Sequence, residues 1–176
     1  MDTALASILL ITLLFFGVLT ISDTYFAVQD TIMVATQERD DRNDERARTA
    51  LALVGVETQS AGSMIEITLK NTGTTKLADF DHWDVVIQYY TAAGVYVTAW
   101  FPYVASASPG NNQWTVKGIY GDAAAVTAEV YDPAILNPTE EIVIQIQVDP
   151  AVGADTTNLA TIAVPNGVSL SAIFVP

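Results

Sequence analysis

The sequence contains no cysteine. Disulfide frameworks, thiolate metal sites and thiol nucleophiles are therefore excluded, and packing or assembly must hold the fold together. Basic residues are scarce: seven Lys and Arg stand against 20 Asp and Glu, for a formal charge of -13. Four of the seven, Arg39, Arg42, Arg46 and Arg48, fall in one short stretch, and beyond it only Lys70, Lys76 and Lys117 oppose the carboxylates. A surface this acidic repels phosphate backbones, which argues against nucleic acid as a partner. Proline is missing from the whole first half of the chain, appearing only from Pro102 onward. N-glycosylation acceptors are missing as well, since Asn137-Pro138-Thr139 is blocked by its proline.

Catalytic signatures are also lacking. There is no Gly-x-Ser-x-Gly elbow, no His-Glu-x-x-His pair and no phosphate-binding glycine loop. The single histidine, His82, has no serine in a recognisable turn to activate. Glu140 and Glu141 are adjacent carboxylates, but Glu141 opens a strand in which alternation points the two side chains apart, unlike a glycosidase pair. The expectation is a non-enzymatic protein without a cofactor.

Charge is absent altogether from residues 3–22, TALASILLITLLFFGVLTIS. As a helix, that run spans ~30 Å, the thickness of a bilayer core. A cleavable secretory signal expects a basic flank, a shorter apolar core and a small-residue cleavage site. A plain membrane anchor expects basic residues beside its cytoplasmic end. Met1 and Asp2 supply no such flank, and the arginines begin well past the apolar run. A third reading is a processed N-terminus, in which a basic leader would have been removed and the helix would leave the membrane to pack against copies of itself; Met1, which could equally be an initiator, fits it poorly, and the plain anchor stays open beside it.

The segment that follows favours assembly. Residues 24–37, TYFAVQDTIMVATQ, contain neither proline nor glycine. Tyr25, Val28, Ile32 and Ala35 fall on one helical stripe, while Asp23, Asp30 and Gln37 recur every seven residues along another. In 38–48, Glu38 with Arg42 and Asp44 with Arg48 are acid-before-base pairs spaced for a solvated helix. One helix over residues 3–49 is ~70 Å long, more than a single small domain can cover. The expected organisation is an apolar assembly helix over residues 1–49 and an outer domain over 50–176. Leu5, Ile8, Leu10, Leu13, Phe15, Phe16, Val18, Tyr25, Val28 and Ile32 are the expected core-packing residues.

From residue 50 the period changes to that of strands. MIEITLK (64–70) places Ile65, Ile67 and Leu69 on one face and Glu66, Thr68 and Lys70 on the other. Further strands are read at 51–57, 83–90, 94–101, 113–120, 141–148, 159–164 and 168–174, with Thr91-Ala92-Ala93 as a hairpin loop ending at Gly94. The Ala-rich segment from Gly121 to Leu136 is open between a long loop, an edge strand and a helical turn. The expected class is α+β, a long N-terminal α-helix followed by an antiparallel, immunoglobulin-like β-sandwich.

Two surface features invite a site. Asp79, Asp81 and Asp84 around His82 are hard-cation ligands by chemistry, but their spacing does not match a calcium loop, and an acidic turn entering the strand is the simpler reading. Tyr89, Tyr90, Tyr96, Trp100, Phe101 and Tyr103 are weighed as a carbohydrate platform against ordinary core packing, and the spacing favours the core.

A strand-rich domain behind ALASILLITLLFFGVLTISDTYFAVQDT (4–31), with IEITLKNTGTTKL (65–77), resembles the type IV pilin superfamily, and within it archaeal-type flagellins (archaellins) and archaeal pilins. The latter segment is similar to the xIxLKNTGxxxL stretch frequent in archaellin and archaellum-associated β-domains. The resemblance implies a prepilin-type peptidase, a membrane assembly platform with an ATPase, and a helical homopolymer outside the cell with helices at its centre, membrane-inserted before assembly. Swimming motility is the implied role; adhesion as a pilin and a membrane-anchored archaellum-associated binding protein are the alternatives. Leu5 stands where bacterial type IV pilins carry glutamate, which points to the archaeal-type branch, and Asp2 is the nearest acid that could substitute for it.

Overall fold

The computed structural model describes residues 2–129 and 132–176, with side chains from Thr3 onward. The chain divides into two compact units, one ending at Asp44 and one running from Glu45 to Pro176.

The first unit is a single helix, which continues into the second. Helix α1 covers Asp2–Arg48, 47 residues. Leu and Ala are frequent in it, Gly17 is its sole glycine and it has no proline, so nothing in the sequence breaks the ladder. Its Ser and Thr side chains turn back on the backbone. The hydroxyls of Ser7, Thr12 and Thr20 donate to the carbonyls of Thr3, Ile8 and Phe16 at 2.8 Å, and Ser22, Thr24, Thr31 and Thr36 repeat the arrangement. Each hydroxyl is thereby satisfied without water, the requirement that a hydrocarbon solvent imposes.

The last helical turn belongs to the second unit, and the β-domain holds it. The final carbonyls of a helix lack intrahelical partners. Here Arg48 O accepts Thr74 N–H at 2.8 Å and Thr75 N–H at 3.3 Å, while Ala50 O accepts Thr72 N–H at 2.9 Å. Thr49 Oγ1 donates to Glu45 O and itself accepts Asn166 Nδ2, both at 2.8 Å. Arg46 and Arg48 place positive charge where the helix dipole is negative. Asn71, fully buried, organises the Asn-Thr-Gly turn that makes the grip: its Nδ2 donates to Thr75 O and Leu136 O, and its Oδ1 accepts Gly73 N–H at 3.0 Å. Gly73 is needed for closeness. A Cβ there would collide with Arg48 O and sit 2.6 Å from Ala50 N, both backbone atoms. Gly73→Ala is therefore expected to free the helix end, seen as a selective loss of amide-exchange protection at Thr74 and Thr75 while β7 stays protected.

The second unit is a two-layer sandwich, and every strand pair is antiparallel. β1 (Leu51–Gln59), β2 (Met64–Asn71), β5 (Gln113–Asp122), β6 (Thr127–Ala128) and β7 (Glu141–Gln147) form one sheet in the order β1-β2-β7-β5-β6. β3 (Asp84–Tyr90), β4 (Tyr96–Phe101), β8 (Asn158–Ala163) and β9 (Ser169–Phe174) form the other in the order β4-β3-β8-β9. The alternation read from the sequence sets the register: Ile65, Ile67 and Leu69 of β2 meet Ile142, Ile144 and Ile146 of β7 in the core, all without solvent exposure. Val85, Ile87 and Tyr89 of β3 and Ala160 and Ile162 of β8 close the core from the second sheet. The β3–β4 hairpin closes as expected, with Gly94 at φ 75 and its N–H on Thr91 O at 2.8 Å.

The fold class and the eight strands read from the sequence are thus present, with end-points shifted by one or two residues. The Ala-rich segment resolves into a turn and an edge strand: β5 runs on to Asp122, a turn follows, and two-residue β6 pairs back on β5. Val130 and Tyr131 of that segment lie outside the described residues. Its far end is anchored by Leu136, fully buried and bridged to Leu77.

Candidate functional site

The apolar side chains of α1 have no cover within the chain. Every residue singled out for assembly is exposed: Leu5 by 68%, Phe15 by 68% and Ile32 by 57%, with Ile8, Leu10, Leu13, Phe16, Val18, Tyr25 and Val28 in the same condition. An exposed apolar face this long is not stable in water and marks a contact surface for lipid or for other protein. By length and composition α1 is the one described helix able to cross a membrane. The ~20 residues that a bilayer core accommodates end near Ser22. Tyr25, Val28 and Ile32 lie beyond that length and are exposed as well. The charged segment that follows is solvated, and Arg42 Nε donates to Glu38 O at 3.1 Å.

The acidic turn is organised within itself. Asp79 takes φ 51, Phe80–His82 form one 3-10 turn, and His82 Nδ1 lies 3.2 Å from Asp81 Oδ1 on the surface. Asp84 turns away to accept Trp100 Nε1 at 2.9 Å. Among the described residues, no group of three or more His, Asp or Glu converges in a metal-holding arrangement.

The aromatic set divides in two. Tyr89 and Phe101 are buried in the core, and Tyr103 packs at a tilt against Trp114 with centroids 4.9 Å apart. Burial raises the Tyr89 hydroxyl above its ordinary pKa, with Asp149 adding to the effect. Tyr90, Tyr96 and Trp100 instead lie exposed on the outer face of the second sheet. Strand parity separates the two groups. Tyr89 and Phe101 share one face of the hairpin, and Tyr90, Tyr96 and Trp100 share the other.

Sequence reasoning missed one polar cluster. On the outer face of the first sheet, Glu66 is almost fully buried and accepts Lys117 Nζ at 2.7 and 2.9 Å and Gln145 Nε2 at 2.9 Å. Glu141 nearby accepts Lys70 Nζ at 3.2 Å and Ala123 N–H at 3.0 Å. Both carboxylates are neutralised by local donors, so the cluster fixes the sheet face and leaves no free reactive group. Glu140 lies elsewhere and caps its own turn, accepting Asn137 N–H at 2.8 Å.

Glu129 is less well provided. One carboxylate oxygen is enclosed without a hydrogen-bond partner, and burial, Glu140 and Asp132 together hold its pKa above the ordinary glutamate value. A carboxyl with a raised folded-state pKa binds its proton more tightly folded than unfolded. Its contribution is therefore most favourable at low pH and is lost as pH rises from the unfolded value through the raised folded one. Glu129→Gln is expected to raise the melting temperature at pH 7, with the difference shrinking as the buffer is taken below pH 5. Thermal melts of both chains across that range check it.

The family model for "Conserved flagellar protein F, immunoglobulin-like domain" matches residues 48–169. Among solved structures, the archaellum periplasmic stator protein FlaG from Sulfolobus acidocaldarius is similar at 19% identity and a TM-score of 0.51, covering 72% of this chain and 99% of that one. The archaeal flagellum of Methanospirillum hungatei strain JF1 is similar at 14% identity and a TM-score of 0.54, covering 94% of this chain and 89% of that one. At such identities the likeness is one of fold. A comparison with curated proteins finds no match.

Proposed function

The chain belongs to the conserved flagellar protein F family, an archaellum-related family, through its immunoglobulin-like domain, and we propose that it serves the archaellum as a membrane-tethered structural component of the cell surface. In this reading, residues 3–22 of α1 lie in the bilayer, and the β-domain is a non-catalytic binding module outside it. The stripe of Tyr25, Val28 and Ile32 packs on a helix of a neighbouring archaellum subunit. The observation that carries the proposal is the exposed, charge-free stretch of α1 joined in one chain to a family domain named for a flagellar protein.

A second reading, subunit of the filament itself, is favoured by one specific observation. Exposed apolar residues continue along α1 well past the length a bilayer needs, as a helix bundled among copies requires. Immunogold labelling of the β-domain on whole cells and on sheared filaments separates the two. The tethered component is labelled on the cell body and missing from sheared filaments. Label along the filament length establishes the subunit instead, and label in neither place overturns both.

A further inference from the structure

The outer face of the first sheet carries a cleft built by two irregularities in one row. β1 is bulged between Leu53 and Gly55, so that Val54 and Gly55 together face Thr68 of β2. β5 is bulged between Val116 and Gly118, so that Lys117 and Gly118 together face Val143 of β7. Thr68 and Val143 are themselves partners, and the two bulges therefore flank one cross-strand pair. Bulges re-aim side chains and recur beside functional sites. Here each supplies a glycine and one lining side chain, Val54 or Lys117. A Cβ at Gly55 would meet nothing within 4 Å, whereas one at Gly118 would lie 2.6 Å from the Tyr120 hydroxyl. The result is a cleft of about 430 Å³, within the ~300–1,000 Å³ range of ligand pockets.

Its lining is of two kinds. Val54, Val126 and Val143 supply apolar surface, with Ala123 and Ala124 beside them. Val126 takes φ 52, a conformation that a β-branched residue rarely enters, and its side chain stays exposed. The polar groups are unequally provided. Glu66 is held by Lys117 and Gln145. Glu57, directly across from Glu66 and exposed, has no hydrogen-bond or ion-pair partner among the described residues, and neither do Thr68 Oγ1 and Tyr120 Oη.

We propose that this cleft receives the side chain of an arginine presented by a partner protein. Charge selects a cation: Lys117 neutralises Glu66, which leaves the Glu57 carboxylate uncompensated at the cleft. The unpartnered groups select arginine among cations. A carboxylate and two hydroxyls all accept hydrogen bonds. A guanidinium meets them with a planar fork of donors, whereas an ammonium has fewer donors and is more strongly hydrated. The apolar stem of the arginine then lies along Gly55, Thr68 and Val143, where small side chains leave room. Arginine capture rests on the reading of the β-domain as a binding module. Its test is read on the purified chain and is independent of where immunogold label falls.

On the full-length chain in detergent micelles, amide resonances are followed by NMR while N-acetyl-arginine methylamide is added. Saturable shifts are expected at Gly55, Thr68, Gly118 and Tyr120. The citrulline analogue, which keeps the shape without the charge, is expected to bind at least about tenfold more weakly, and Glu57→Gln to weaken the arginine analogue by about the same factor. Gly55→Leu is expected to fill the cleft and abolish binding without lowering the melting temperature of the β-domain. No saturable shift, equal binding of the citrulline analogue, or indifference to either substitution overturns the proposal. The cysteine-free chain then allows the source to be identified. Val54→Cys in native membranes is treated with a reagent carrying a maleimide and an arginine-selective phenylglyoxal, beside Val95→Cys on the β3–β4 loop as control. An adduct to an arginine of a different protein is expected from Val54→Cys and not from Val95→Cys. No adduct above the control gives the cleft to free guanidinium compounds and overturns the partner assignment, as does an adduct to Arg39 or Arg42 of a second copy.

Discussion

Replacing Leu10 and Phe15 together by aspartate is expected to keep the chain out of a membrane and out of any helical assembly while leaving the β-domain folded. Each acid near the middle of a spanning helix costs ~2.5–3.5 kcal/mol of insertion free energy, and the apolar contributions of Leu and Phe are lost as well. The sum exceeds the ~5.5 kcal/mol that turns an almost fully occupied state into an almost empty one. Inside a helix bundle, an unpaired buried carboxylate is no better tolerated. Because the helix up to Asp44 is a unit separate from the β-domain, the expected phenotype is selective. The double variant moves to the soluble fraction, and its β-domain unfolds at the unchanged temperature. A drop in both properties together would mean that α1 is part of the fold of the β-domain.

The second large effect is expected at Trp83. Its indole is 2% exposed, packs edge-on to Phe80 with centroids 5.1 Å apart and donates from Nε1 to Ala78 O at 3.0 Å. Immunoglobulin domains of antibodies pack a buried Trp against a disulfide. This chain has no cysteine, so Trp83 relies on aliphatic and aromatic neighbours in the core. Trp83→Ala leaves a large cavity and costs ~3–5 kcal/mol. A domain of this size commonly has only ~5–15 kcal/mol in total, and no cross-link lowers the entropy of its unfolded state. Trp83→Ala is therefore expected to remove a large share of that stability and to move the denaturation midpoint far down while the β-domain still folds. Trp83→Phe keeps most of the packing and loses the hydrogen bond, a deficit of ~1 kcal/mol. Denaturant titration of the pair checks both size and order, and equal costs would show that Trp83 acts through its hydrogen bond rather than its volume.

How much of this was legible in the sequence depends on how local the signal is. The helix is written in a charge-free run followed by a 3.6-residue stripe, and β2 in the strict alternation of Ile65, Ile67 and Leu69. The β3–β4 hairpin is marked by the positive φ that Gly94 supplies. Asn71-Thr72-Gly73 reads as a turn in the sequence, and its further task, gripping the carbonyls of Arg48 and Ala50, is visible only in three dimensions. β6 carries no periodic signal, since two residues in an Ala-rich stretch cannot show one. The burial of Glu66 was likewise out of reach: Lys117 and Gln145 lie 51 and 79 residues further along the chain. The spacing of the hairpin aromatics presents them as a single set, and counting them by strand parity separates buried Tyr89 and Phe101 from exposed Tyr90, Tyr96 and Trp100.

The central claim, that α1 is embedded while the β-domain faces outward, is tested most directly by single cysteines in this cysteine-free chain. Ala124→Cys lies on an exposed turn of the β-domain, and Leu14→Cys lies midway along the apolar run. On intact cells, a membrane-impermeant maleimide is expected to label Ala124→Cys fully and to leave Leu14→Cys unlabelled until detergent is added. Labelling of Leu14→Cys without detergent, or protection of Ala124→Cys until the cells are lysed, would contradict the account.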